Sequence, residues 1–135
     1  MKVRLKQLMM LVVLLLLFTP FSFGKPVTYV IDPNHTFPAF EADHMGGLSL
    51  WRGKINSTSG EIILDKKNKT GSVSVVMEMD SIDFGHDGMN KKVKSDDMFD
   101  VEEFPQARYE GKLINFQDGS PTKVEGELTL HGITK

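Results

Sequence analysis

The sequence predicts an all-β fold: an antiparallel up-and-down barrel with one short helical cover and an incomplete C-terminal edge. Three observations carry this reading. Apolar and polar residues alternate with period two through most of the chain after residue 26. The alternation breaks once, over the 25 residues from Ser81 to Pro105. The final residues, Gly126 to Lys135, still read as a strand without turn or polar tail, so a partner strand is expected to follow.

Taken in order, Val27 to Ile31 is a short strand stopped by Asp32-Pro33-Asn34. Thr36 to His44 follows, with Phe40, Ala42 and His44 on one face and Glu41 and Asp43 on the other. Met45-Gly46-Gly47 turns the chain. Leu48 to Asn56 is a strand containing Trp51, and Gly53 is a candidate bend or bulge within it. Gly60 to Asp65 ends in a turn from Lys66 to Gly71. Ser72 to Asp80 alternates most cleanly, with Val73, Val75, Met77 and Met79 sharing a face. Gln106 to Phe116 and Thr122 to His131 complete seven strands, joined through Asp118-Gly119-Ser120-Pro121. Tight sequential turns favour meander pairing, hence a barrel over a sandwich.

In the interrupted stretch, Met89 and Val93 stand four apart, which suits one or two helical turns. Ser95 is placed to cap a second short turn, with Asp96 and Asp97 in its first positions. A connection this long either covers one barrel end or gates a ligand.

The N-terminus has a separate logic. Lys2, Arg4 and Lys6 precede an unbroken apolar run from Leu8 to Phe18, and Ser22 and Gly24 are small residues before Lys25. This is the layout of a secretory signal peptide over residues 1–24, with the mature domain at 25–135. The run is short for a membrane anchor, which needs about 20 apolar residues. Cleavage removes three of 16 basic residues and none of the 18 acidic ones, leaving a net charge of −5. An acidic domain is poorly matched to nucleic acid or to anionic lipid surfaces. The clusters Lys66/Lys67/Lys69 and Lys91/Lys92/Lys94 read as solvated faces. With no cysteine in the chain, stability must come from burial. Asn34, Asn56 and Asn68 lie in glycosylation sequons that matter only in a glycosylating pathway.

The assembled motifs resemble the YceI-like family. Tyr29 to Thr36 resembles its opening, Phe40 to His44 a strand ending in His, and Gly60 to Asp65 a third segment. Met98-Phe99-Asp100-Val101-Glu102-Glu103-Phe104-Pro105 resembles its internal motif, and Leu128 to Lys135 its late one. Each is weak alone; five in order are strong. The resemblance implies a lipocalin-like barrel in the bacterial periplasm that binds a long polyisoprenoid, such as a polyprenyl quinone, in an apolar tunnel. It also implies roughly two or more further strands, to close a barrel of about eight. Without them the last strand exposes an edge, which pairs into a dimer or aggregates.

The positions expected to line the tunnel are Phe40, Ala42, His44, Trp51, Val75, Met77, Met79, Phe84, Met89, Met98 and Tyr109. His44 is the candidate for a quinone carbonyl, His35 is read as structural, and His86 and His131 as exposed. Met77 and Met79, with Met45 and His44, form a soft-ligand set that suits Cu(I), but Met stripes are more often adaptable core. No Gly-X-Ser-X-Gly, His-Glu-X-X-His or phosphate loop occurs, and the pairs Asp96-Asp97 and Glu102-Glu103 diverge on short turns. The chain is therefore read as a binding protein without enzyme activity, cofactor or metal. The alternatives are a structural or stress-related periplasmic β-protein, and a Met/His copper carrier.

Overall fold

The computed structural model describes residues 24–135, so the signal-peptide reading lies outside the described residues, Gly24 excepted. Among the described residues nine strands and one α-helix follow in order: β1 (Val27–Val30), β2 (Ala39–His44), β3 (Ser49–Ile55), β4 (Thr58–Asp65), β5 (Thr70–Glu78), β6 (Ile82–Asp83), α1 (Asp87–Lys94), β7 (Gln106–Gln117), β8 (Ser120–Leu130) and β9 (Ile133–Thr134). Every pairing is antiparallel. Six strands form one sheet in the order β1-β4-β5-β7-β8-β9, and β2-β3-β6 form a second. The two make an open barrel wall, not closed among the described residues.

Register fixes which side chains face inward, because directly paired residues share a face. Thr58 stands opposite Met77, and Met77 opposite Ala107. One step along, Gly60, Val75, Tyr109 and Leu128 form a second row across four strands. In the small sheet Phe40 pairs with Gly53 and Ala42 with Trp51. Gly53 is not a bulge: it pairs regularly, and a Cβ there would lie 2.6 Å from the Phe40 ring. The β7–β8 ladder is interrupted at Asn115, where φ is 53° and the carbonyl accepts the Thr122 hydroxyl, but the register is the same on both sides, so no residue is inserted.

The core joins both sheets to the covering segment. Ile55, Met79, Ile82, Val93 and Ala107 are buried together, with Phe40, Met77, Phe84, Met89, Phe99, Val101 and Leu130 packed around them. Met79 belongs to a 3-10 turn (Met79–Ser81), which carries the chain from one sheet to the other.

The helix forms where Met89 and Val93 predict it. His86 is its N-cap, accepting the Met89 N–H through Nδ1 at 3.2 Å. Asp87 lies in the first turn and Lys91, Lys92 and Lys94 in the last, each sign matching the helix dipole. Ser95 ends α1, donating its N–H to the Lys92 carbonyl, and opens the expected second turn over residues 96–99, its own carbonyl accepting the Met98 N–H at 3.0 Å. The Lys92 carbonyl also accepts the Ser95 hydroxyl, which satisfies a helix-end acceptor.

The chain end differs from expectation. His131 and Gly132 both adopt positive φ, 50° and 71°, and form a two-residue turn into β9. Leu128 and Lys135 then exchange backbone hydrogen bonds of 2.8 and 3.0 Å. On that side β8 has no neighbour strand from Ser120 to Glu127 among the described residues. Nor is His131 exposed; it is half-buried, with its ring 4.4 Å from that of Phe104.

Candidate functional site: an apolar cavity between the sheets

The inner faces of the two sheets do not meet everywhere. Between them lies a cavity of about 350 Å³. The large sheet supplies Met77, Ala107, Leu128 and Leu130; the small sheet supplies Ala39, Phe40, Ile55 and Ile82. Pro38, Met79 and Phe99 complete the wall. No lining residue is charged or carries a polar side chain. The volume lies at the lower end of the roughly 300–1,000 Å³ typical of small-ligand sites.

A second depression, of about 370 Å³, shares Phe99, Leu128 and Leu130 with the first. Met98 and Ile133 extend its apolar wall, and His131 and Lys135 stand at its rim. The two share the apolar wall of Phe99, Leu128 and Leu130, and the second is the more polar at its rim.

The residues proposed from sequence divide among several places. Phe40, Met77 and Met79 line the first cavity, and Met98 the second. Ala42, His44, Trp51 and Phe84 belong to an aromatic cluster farther along the small sheet. There Phe84 contacts Phe40 edge-on at 5.3 Å and Trp51 at 6.1 Å, and Trp51 meets His44 at 5.4 Å. His44 Nδ1 is hydrogen-bonded to Ser49 Oγ at 3.0 Å. Val75 and Tyr109 pair on the inner face of the large sheet, and Met89 packs against the core beneath α1. The soft-ligand set is not assembled: Met77 and Met79 line the cavity, whereas Met45 is 70% exposed at the β2–β3 turn. His35 takes its structural place, with Nδ1 2.7 Å from Asp32 Oδ2 in the turn after β1.

Sequence reasoning missed Ile55, Ile82, Phe99, Ala107, Leu128 and Leu130. Alternation marked Leu128 and Leu130 as a dry face. Ala107 and Phe99 give no such signal, since their role depends on which surfaces the topology brings together.

A polar clamp holds the cover over the cavity. Asp83 Oδ1 accepts the Gly85 N–H at 2.8 Å and the Asn90 amide at 2.9 Å, while Asn90 Oδ1 accepts the Phe84 N–H at 2.8 Å. These bonds tie α1 to β6. The Gly85 N–H first, then the Asn90 amide, hold the Asp83 carboxyl below its ordinary value. A depressed carboxyl contributes stability that is present above its unfolded pKa, about 3.9, and lost as pH falls through the folded value. Asp83→Asn is therefore expected to melt below the wild type at pH 7, with the difference shrinking below about pH 4. Thermal melts from pH 7 to pH 2.5 check this; a difference constant with pH would contradict it.

The described residues thus form an antiparallel β-domain with an apolar cavity between its two sheets. Comparison with known proteins gives the family. The YceI-like domain model matches residues 29–135, and the chain belongs to that family. It is 34% identical over 115 residues to a UPF0312 protein of Vibrio parahaemolyticus, covering 83% of this chain and 60% of that protein. A UPF0312 protein of Yersinia pestis is 33% identical over 120 residues, covering 85% and 62%. The chain thus spans about three-fifths of the length of these curated relatives. Among solved structures, BcnA of Burkholderia cenocepacia superposes with a TM-score of 0.60 at 23% identity, covering 80% of this chain and 62% of that one. The YCEI protein of Campylobacter jejuni gives 0.57 at 23% identity, covering 79% and 63%. These two likenesses establish the fold.

Proposed function

We propose that this protein is a periplasmic carrier, not an enzyme, that binds a long-chain polyisoprenoid such as a polyprenyl quinone in the cavity between its sheets. One observation carries the reading: the first cavity is walled entirely by apolar side chains. A polar substrate would leave its hydrogen-bonding groups unpaired there, whereas an isoprenoid has none along its tail. Each CH₂ buried contributes about 0.8 kcal/mol, so a five-carbon unit gains roughly 3–4 kcal/mol before the cost of ordering the chain. The tail occupies the dry cavity, and the head group lies toward His131. Met77, Met79 and Phe99 are deformable or planar surfaces that accept a branched chain without a specific contact.

Export through cleavage near Gly24 delivers residues 25–135 to the periplasm. No helix among the described residues is long and apolar enough to cross a membrane. The test is organic extraction of the exported protein followed by mass spectrometry. A polyisoprenoid in the extract is the expected result; bulk phospholipid alone, or nothing, contradicts the reading.

A further inference from the structure

The β2–β3 hairpin has a feature that the cavity does not use. Its tip exposes three large apolar side chains: Met45 at 70%, Leu48 at 79% and Leu50 at 54%. From Met45 to Trp51 the chain carries no charged residue. We propose that this tip is a membrane-docking element that inserts Met45, Leu48 and Leu50 into the interface of a zwitterionic, net-neutral phospholipid bilayer.

The backbone holds the side chains outward. Met45 sits at a φ of 58°, followed by Gly46 at 66° and Gly47 at 91°. Positive φ is uncommon for a residue other than glycine, and a flexible apolar side chain there is unusual beside the Asn or Asp that such positions favour. The Asp43 carboxylate accepts the Gly47 N–H at 2.6 Å, which fixes the turn and engages the nearest negative charge. Leu50 stands opposite Asp43, on the face away from the aromatic cluster. Met45 and Leu48 lie in the turn itself, so neither sheet face can bury them.

Charge and area choose the partner. Below the tip, Glu41 and Arg52 pair across the strands at 2.7 Å, so the hairpin presents little net charge. An anionic surface would find no free cation on it from Met45 to Trp51. Three side chains present only a few hundred Å², well under the roughly 800 Å² per partner buried in a stable protein interface. A convex apolar tip of this size suits the headgroup–acyl boundary, which needs no complementary groove. The inference concerns the surface and not the cavity, so it stands or falls separately from the isoprenoid reading.

The chain contains a single tryptophan, Trp51, next to Leu50. Its fluorescence therefore reports on the hairpin and not on the N-terminal apolar run. The full chain is titrated with phosphatidylcholine–phosphatidylethanolamine vesicles carrying brominated acyl chains. Wild-type Trp51 is expected to be quenched, and the double variant Met45→Ser/Leu48→Ser to need about tenfold more lipid for the same quenching. Val30→Ser is the control, since Val30 is also 79% exposed but lies on β1; its titration should match the wild type. Absent quenching in the wild type, an equal loss in Val30→Ser, or quenching that requires anionic lipid and vanishes in high salt would each overturn the proposal. So would size-exclusion profiles showing a tip-dependent dimer without vesicle binding.

Discussion

Ala107→Phe is expected to abolish isoprenoid binding and leave the protein folded. Ala107 is 3% exposed, and its side chain faces the cavity from β7, opposite Met77. A phenyl ring at that position occupies space that a ligand tail would fill. Excluding one five-carbon unit removes roughly 3–4 kcal/mol, equivalent to a loss of affinity of a few hundredfold. The cost to the fold is smaller, because the added ring enters a cavity instead of packed core; overpacking a filled core costs about 1–3 kcal/mol. Binding titrations with a prenyl quinone, run beside thermal melts, separate the two effects. Affinity within a few-fold of wild type in a folded Ala107→Phe protein would show that the ligand lies elsewhere.

Gly60→Ala is expected to unfold the domain or destabilise it by about 4 kcal/mol or more, an exceptional value for adding one methyl group. Gly60 holds a φ of 145°, and a Cβ built on it would lie 2.0 Å from the Ser74 carbonyl oxygen. That oxygen belongs to the backbone of the adjacent strand and cannot move aside without breaking the β4–β5 ladder. Gly60 also shares its row with Val75, Tyr109 and Leu128, so a shift of β4 carries along the row toward Leu128 in the cavity wall. Denaturant unfolding followed by circular dichroism measures the loss. A midpoint near that of the wild type would mean that β4 and β5 separate here more easily than their register implies.

The parts of this fold that repeat were legible in the sequence. Long strands such as β5 announce themselves because one face is dry and the other wet, and Met89 and Val93 marked α1 because helical spacing places them on one side. The two-residue strands β6 and β9 are too short to show any period. The turn before β9 was missed for a specific reason. Its first residue is His131; His tolerates positive φ, but His-Gly is not among the Asn-Gly, Asp-Gly and Gly-Gly pairs that mark a two-residue hairpin. The cavity was half legible. Phe40, Met77 and Met79 were found because alternation assigns them inward. Ala107 was not, since a small residue lines a space only when two sheets stand apart above it. His44 was placed on the correct face but too far along the strand, where its partners are Ser49 and Trp51.

The central claim is that the space between the sheets holds a polyisoprenoid, and its content is the most direct test. Exported wild-type protein and Ala107→Phe are purified in parallel without added lipid, extracted with organic solvent, and the extracts quantified by mass spectrometry against protein concentration. The account predicts a polyisoprenoid near one per protein molecule in the wild type, and its absence from Ala107→Phe. Equal amounts in both proteins, or none in either, would contradict it.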